Sequence, residues 1–290
     1  MAVIEIEHLK KLYGRHVGAR DVTFSVGEGE IFGFVGPNGA GKTTTIRILM
    51  GFVLKSGGSA TICGLDAERD ARRIKSFTGY VPSDVRLYAN MRVGELLRRN
   101  ADFYPGDCAS EAERLCALFE ADALKRFREL SSGNKKKVSI ICALMPRPRV
   151  VILDEPTNGL DPVMQKLLFE ELKRRTAEGA TVLLSSHNLA EVQEYCRRVA
   201  FIKDGAILAV ADLAESAEPK KVLSVSGGGA ILPEGLELIR DGGGRRVFRS
   251  ALSGRALIDA LRELGPDDFT VENERMEDRF WHLYGQEENK

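Results

Sequence analysis

Nine consecutive residues carry the plainest chemical signal in the chain: Gly36-Pro37-Asn38-Gly39-Ala40-Gly41-Lys42-Thr43-Thr44. They follow the pattern G-x-x-x-x-G-K-[ST], in which glycines let backbone N–H groups wrap an anion at angles that a side chain would block. The spacing predicts that Lys42 reaches the terminal phosphates of a nucleotide and that the Thr43 hydroxyl holds Mg²⁺. The bland alternative is a glycine-rich turn that binds nothing, and the flanks argue against it. Ile31-Phe32-Gly33-Phe34-Val35 reads as a buried strand, while Ile46, Leu49, Met50 and Val53 recur on one helical face. A helix starting near Lys42 adds unpaired N–H groups and the positive end of its dipole.

Carboxylates come next. Val150-Val151-Ile152-Leu153 is wholly apolar and ends in Asp154-Glu155. Such a strand is buried on both faces in a parallel sheet, and ligands bind beyond the carboxyl ends of those strands. Asp154 is expected to hold Mg²⁺, directly or through water, and Glu155 to polarise the attacking water. The alternative is that both cap the following turn. Thr181-Val182-Leu183-Leu184-Ser185-Ser186 delivers His187 in the same way; a lone histidine is usually structural, but this one can meet a γ-phosphate or the water. Leu130-Ser131-Ser132-Gly133-Asn134 opens a helix with the apolar face Val138, Ile141, Cys142 and Met145, a second anion site by capping and dipole. Lys135, Lys136 and Lys137 then read as a solvated face, or as a source of positive potential near phosphate. Tyr13 is either a packed edge-strand residue or a platform for a nucleotide base.

These groups need a frame. Residues 3–35 alternate as β-structure, and 78–81 form a strand stopped by Pro82. From about 84 to 147 the texture is helical: a helix begins at Val93, and Ser110 with Glu113 is expected to form a capping box. That lobe is inserted between strands of a parallel sheet. Glu218-Pro219-Lys220-Lys221 reads as a linker, and residues 221–290 as a small α+β appendage. Its strands are expected near 222–225, 236–239, 247–249 and 269–271. A helix runs through Leu257, Ile258, Leu261 and Leu264, and a terminal one begins at Met276, with Phe280, Trp281 and Tyr284 as core.

Composition narrows the class. The 290 residues carry 42 basic and 42 acidic side chains, so no global charge points to nucleic acid. No apolar run approaches the ~20 residues needed to cross a bilayer, and the expectation is a soluble, cytoplasmic protein without a signal peptide. Five cysteines (Cys63, Cys108, Cys116, Cys142, Cys196) without a C-x-x-C pair argue against a disulfide framework or a zinc site. Cys116 and Cys142 fall on apolar helix faces.

In their order along the chain, the glycine loop, Leu130-Ser131-Ser132-Gly133-Asn134, Val150 to Glu155, Gly159-Leu160-Asp161 and His187 resemble the ATP-binding subunit of ABC transporters. A small GTPase would need N-K-x-D, which is absent. The resemblance covers residues 3 to about 215 (domain 1–215). It implies a P-loop NTPase α/β core with a mixed sheet, an N-terminal antiparallel β-subdomain and the inserted helical subdomain. It implies ATP and Mg²⁺ as cofactors, adenine stacking on Tyr13, and residues Ser131, Ser132, Gly133 and Asn134 capping the γ-phosphate of a second subunit's ATP. Asp161 then lies in the loop linking two sites. The partners implied are a second ATP-binding subunit, identical or paralogous, and a separate membrane permease. The chain would attach to the cytoplasmic face through that permease.

Two departures stand out. Ser132 and Asn134 replace the family's glycine and glutamine, and Ser83, followed by Asp84, replaces a glutamine that meets Mg²⁺ and the water. Serine is shorter, so either water fills the gap or Asp84 shifts in. The Ser83 loop and the sequence from Met276 to Tyr284 resemble exporters more than import systems. The competing readings are a DNA- or ribosome-associated or regulatory ATPase of the same superfamily, and a nucleotide-binding module that does not hydrolyse. The heptad insertion, basic face or second cradle of the first group are not visible in the sequence.

Overall fold

A computed structural model describes residues 2–104, 106–213, 220–229 and 232–274. Two compact units divide at Leu213 and Ala214. In the first, β1 (Ala2–Tyr13) and β2 (His16–Gly27) pair antiparallel, with β4 (Gly57–Ile62) and the short β5 (Leu65–Asp66) beyond them. The buried strands are β3 (Ile31–Val35), β6 (Thr78–Val81), β7 (Val150–Asp154) and β8 (Thr181–Ser186), with β9 (Arg198–Lys203) and β10 (Ala206–Asp212) completing one ten-stranded mixed sheet. Every residue of β3, β7 and β8 is buried, as their unbroken apolar runs require.

Register sets the site. In the parallel ladders Val35 pairs with Ser186, Asp154 with Ser185, and Val81 with Leu153. The residues just beyond those ends (Gly36, Ser83, Glu155 and His187) therefore emerge along one edge of the sheet.

Helices α1 (Lys42–Leu49) and α2 (Ala71–Lys75) belong to the core. The inserted lobe contains α3 (Val93–Ala101), α4 (Ala109–Leu118) and α5 (Ser132–Leu144). The capping box of Ser110 and Glu113 is not formed. Helix α4 starts two residues earlier than that box would set it, with Cys108 at its cap, and Asp107 Oδ1 accepts the Ala109 N–H at 2.8 Å. Asp107 satisfies the first orphan N–H, and Ser110 falls at the second helical position instead of the cap. Helices α6 (Pro162–Ala177) and α7 (Leu189–Tyr195) follow β7 and β8.

The second unit is a four-stranded antiparallel sheet in the order β12-β13-β11-β14: β11 (Lys221–Ser226), β12 (Leu236–Gly242), β13 (Arg245–Ser250) and β14 (Asp268–Asn273). Helix α8 (Gly254–Leu264) packs Leu257, Leu261 and Leu264 against Leu223, Val225 and Phe248. Lys221 already belongs to β11, so the linker ends earlier than its sequence suggests. The terminal helix expected from Met276 lies outside the described residues. All five thiols are free; Cys116 and Cys142 are only partly buried by surface, with Cys108 and Cys196 the buried ones, and burial still raises the Cys116 thiol and pushes that of Cys142 up to about 12.

Candidate functional site

The glycine loop leaves β3 and enters α1 through Gly41, whose φ of 107° is open only to glycine; a Cβ there would also stand 2.6 Å from the Gly18 carbonyl oxygen. Lys42 is 5% exposed and turns back over the loop. Its Nζ donates to the carbonyls of Gly36 at 2.5 Å and Pro37 at 3.2 Å, and lies 3.2 Å from Glu155 Oε1. Thr43 Oγ1 donates to Asp154 Oδ2 at 2.8 Å, while Ser185 Oγ donates to Asp154 Oδ1 at 2.7 Å. Asp154 is fully buried, and its charge is spread over these hydroxyls.

Glu155 has the most constrained backbone of the site. Its φ is +50°, a left-handed conformation that costs a non-glycine residue about 1–3 kcal/mol unless its surroundings impose it. The surroundings do: the Glu155 N–H is accepted by Ser185 Oγ at 3.0 Å, and its carbonyl accepts from Lys136 Nζ at 3.3 Å. The carboxylate then bridges two partners, with His187 Nδ1 at 2.7 Å from Oε2 and the Lys42 ammonium beside Oε1. Oε1 has a charge neighbour but no aligned hydrogen bond. With a carboxylate on Nδ1, a neutral His187 carries its proton there.

Thr43 and Asp154 offer only hard oxygen donors, the set suited to an ion such as Mg²⁺ that keeps most of its water and takes the rest from phosphate. Among the described residues no three His, Cys, Asp or Glu side chains cluster into an all-protein metal site.

Lys42, Thr43, Asp154, Glu155 and His187 thus come together. Tyr13 stands beside them with a half-exposed ring whose Cε2 would lie 2.7 Å from a Cβ on Gly18, with Thr44 Cγ2 in the same contact; Lys11 Nζ is 4.8 Å from the ring centre. Ser131 to Asn134 do not join the cluster. Ser131 caps α5, accepting the Asn134 N–H at 3.3 Å, and Gly133 packs so tightly on the Gly159 carbonyl oxygen that a Cβ would lie 2.4 Å from it. No hydrogen bond joins residues 131–134 to residues 36–44 among the described residues. Asp161 is exposed and caps α6, accepting the Met164 N–H at 3.0 Å. The Ser83 carbonyl accepts from Lys136, and Asp84 pairs with Arg86 at 2.7 Å.

The reading of residues 135–137 as a solvated face is wrong for two of the three, because Lys136 and Lys137 are buried. Ser185 was also not singled out from the sequence. A serine in the apolar run before His187 is the one available hint, since a buried strand spends a hydroxyl only where it has partners. Glu191 is another such residue: it accepts from Thr157 Oγ1 at 3.1 Å, and burial raises its carboxyl.

A strand–glycine loop–helix cradle, with carboxylates and a histidine at neighbouring strand ends, defines a P-loop nucleoside triphosphatase. The ABC transporter family matches residues 19–158. The Nod factor export ATP-binding protein I of Paraburkholderia xenovorans is 33% identical over 304 residues, covering 99% of this chain and 98% of its own. Among solved structures, an ATP-binding subunit of an ABC transporter is 32% identical, with a TM-score of 0.68 over 73% of this chain and 91% of that one. A bacterial ABC transporter cassette solved as a dimer has the same fold at 23% identity and a TM-score of 0.67, over 72% of this chain and 98% of its own. The chain belongs to the ATP-binding subunits of ABC transporters, and it is an ATPase. Among the described residues no helix is long and apolar enough to cross a membrane.

Proposed function

We propose that this subunit hydrolyses ATP to drive export through a separate membrane permease, with Glu155 as the general base. The observation that carries the reading is Glu155 at the end of β7, paired at once with Lys42 and His187. ATP would lie in the loop of residues 36–44 with its base on Tyr13. Mg²⁺ would be held by Thr43 and Asp154, with Ser83 at its margin, and would supply positive charge to the β- and γ-phosphates. Lys42 exchanges Glu155 Oε1 for phosphate oxygens as the nucleotide binds, which frees that oxygen to accept a proton from the attacking water. His187, fixed through Nδ1, keeps the carboxylate oriented and presents Nε2 toward the reaction.

Residues 131–134 open α5, with Ser131 capping the Asn134 N–H and no hydrogen bond to their own cradle among the described residues. That placement supports a head-to-tail pair of subunits, identical or paralogous, in which each caps the other's γ-phosphate. Asp161 would stand at the seam. Closure would pass to the permease through the helical lobe around residues 83–104, with the subunit at the cytoplasmic face. Export rests on the full-length similarity to an export ATP-binding protein.

Single-turnover hydrolysis by Glu155→Gln tests the base. The rate should fall about 10³-fold with ATP binding retained; hydrolysis at the unaltered rate sinks the assignment.

A further inference from the structure

We propose that Lys136 is a positioning residue for hydrolysis: its buried ammonium staples the loop after β6 and the backbone of Glu155 to the helix that begins at Ser132. Lys136 is 3% exposed, and its Nζ donates to three carbonyls, those of Ser83 at 2.8 Å, Pro82 at 2.9 Å and Glu155 at 3.3 Å. Among the described residues no carboxylate lies within 4.0 Å of it. Burying an ammonium without an ion-pair partner is costly, and a position selected for stability alone would take an apolar side chain. Burial does pull its proton affinity down, against the fields of Asp154, Glu155 and Asp84.

The three acceptors explain what the charge does. Pro82 and Ser83 follow β6, Glu155 follows β7, and Lys136 stands on the second turn of α5, four residues beyond its start. One cation therefore fixes two strand-end loops relative to each other and to the inserted lobe. The Glu155 carbonyl is one of the groups that hold its backbone at φ +50°. Ser185 holds the N–H side of that residue and Lys136 the C=O side, so the direction of the Glu155 carboxylate depends on both. A shift of the α5 helix is thereby transmitted to the carboxylate. The inference rests on Glu155 being the base, as proposed above.

The test uses the full chain in four forms: wild type, Lys136→Met, Glu155→Gln and the double variant. Single-turnover hydrolysis, ATP titration and amide exchange across residues 82–86 and 155–158 are read on each. Lys136→Met should lower the hydrolysis rate roughly tenfold to a hundredfold while ATP affinity stays within about twofold. Exchange should rise in both loops, and Lys136→Arg should recover most of the rate. In the Glu155→Gln background the Met substitution should cost nothing further, which a general loss of packing would not reproduce. Wild-type hydrolysis by Lys136→Met beside a slow Glu155→Gln overturns this proposal alone. Wild-type hydrolysis by both overturns the base assignment itself. Additive losses, or loss of ATP binding, also overturn the staple. If Lys136→Met does not fold, Lys136→Gln, which keeps two donors without the charge, takes its place with the same readouts.

Discussion

At the ends of β7 and β8, Asp154 and Glu155 are buried beside Lys42 and His187; between α4 and α6, Glu111 and Glu171 are buried among Arg114, Arg147, Arg174 and Arg175. In the second cluster every carboxylate oxygen is taken by a guanidinium: Glu111 accepts from Arg114 at 2.7 Å and Arg147 at 2.9 Å, and Glu171 from Arg114 at 2.7 Å and Arg174 at 3.1 Å. Arg175, itself 2% exposed, donates to both. In the first cluster the partners are hydroxyls, an imidazole and one ammonium with two other acceptors, and Glu155 Oε1 is left without an aligned donor. Burial of charge serves both places, but only the cluster whose carboxylates are saturated is built to stay as it is, even though Arg175 Nη1 is itself without an aligned acceptor there. It joins the inserted lobe to α6 by fixed, bidentate-capable forks. The other cluster keeps partners that can be exchanged for phosphate and water.

The contrast predicts opposite responses. Glu155→Gln, with its large expected loss of hydrolysis, should leave the melting temperature equal to or above that of wild type, because a carboxylate with an underused oxygen is removed. A fall of several degrees would mean that the strand-end cluster is structural after all. Glu111→Gln should do the reverse: about 3 kcal/mol of stability lost in denaturant unfolding, since it leaves the buried Arg175 guanidinium without its charged partner, and ATP affinity within about twofold.

Acid sharpens the same point. Burial alone would raise the Glu111 carboxyl, but hydrogen bonds from Arg114 and Arg147, with the charge of Arg175 nearby, hold it at about 2, below its ordinary 4.5. A depressed folded pKa means that the stabilisation is present above about pH 4.5 and is lost as the pH falls toward 2. Unfolding at pH 3 and pH 6 should therefore differ by up to about 2 kcal/mol from this group. Glu111→Gln should flatten that part of the dependence, and an unchanged slope would show that Glu111 is not held down.

The sequence carried the strand-end chemistry well and the clusters' second partners poorly, for a physical reason. Lys42, Thr43, Asp154, Glu155 and His187 follow from local spacing plus one rule about strand ends, so they were legible before any coordinates. Lys136 was not. A run of three lysines has the texture of a wet surface, and only the passage of α5 behind the loop at Ser83 buries the middle one. Glu111 and Arg175 are equally silent, being ordinary helix residues whose meeting depends on two helices 64 positions apart in sequence. Ser110 failed in the other direction. Its capping motif was real in the sequence, but Asp107 takes the Ala109 N–H and the helix begins before Ser110, which leaves the serine inside the first turn.

Tyr13 gives the smallest effect and the finest test, because its two readings differ in what they leave exposed. A packed edge residue would present its ring edge to the sheet and lose most of its surface. Tyr13 keeps 43% of its surface, with its ring beside Gly18 and Thr44 and a lysine ammonium 4.8 Å from its centre. An aromatic face in that position can take a purine without reading its edges, so ATP and GTP should profit alike. Tyr13→Ala should raise KM for both nucleotides about tenfold, or about 1.4 kcal/mol, with kcat nearly unchanged. Tyr13→Phe, which keeps the face and drops the hydroxyl, should stay within about twofold of wild type. A Tyr13→Ala variant that melts lower yet keeps its KM would return the residue to the edge of the sheet, where its hydroxyl and ring merely finish β1.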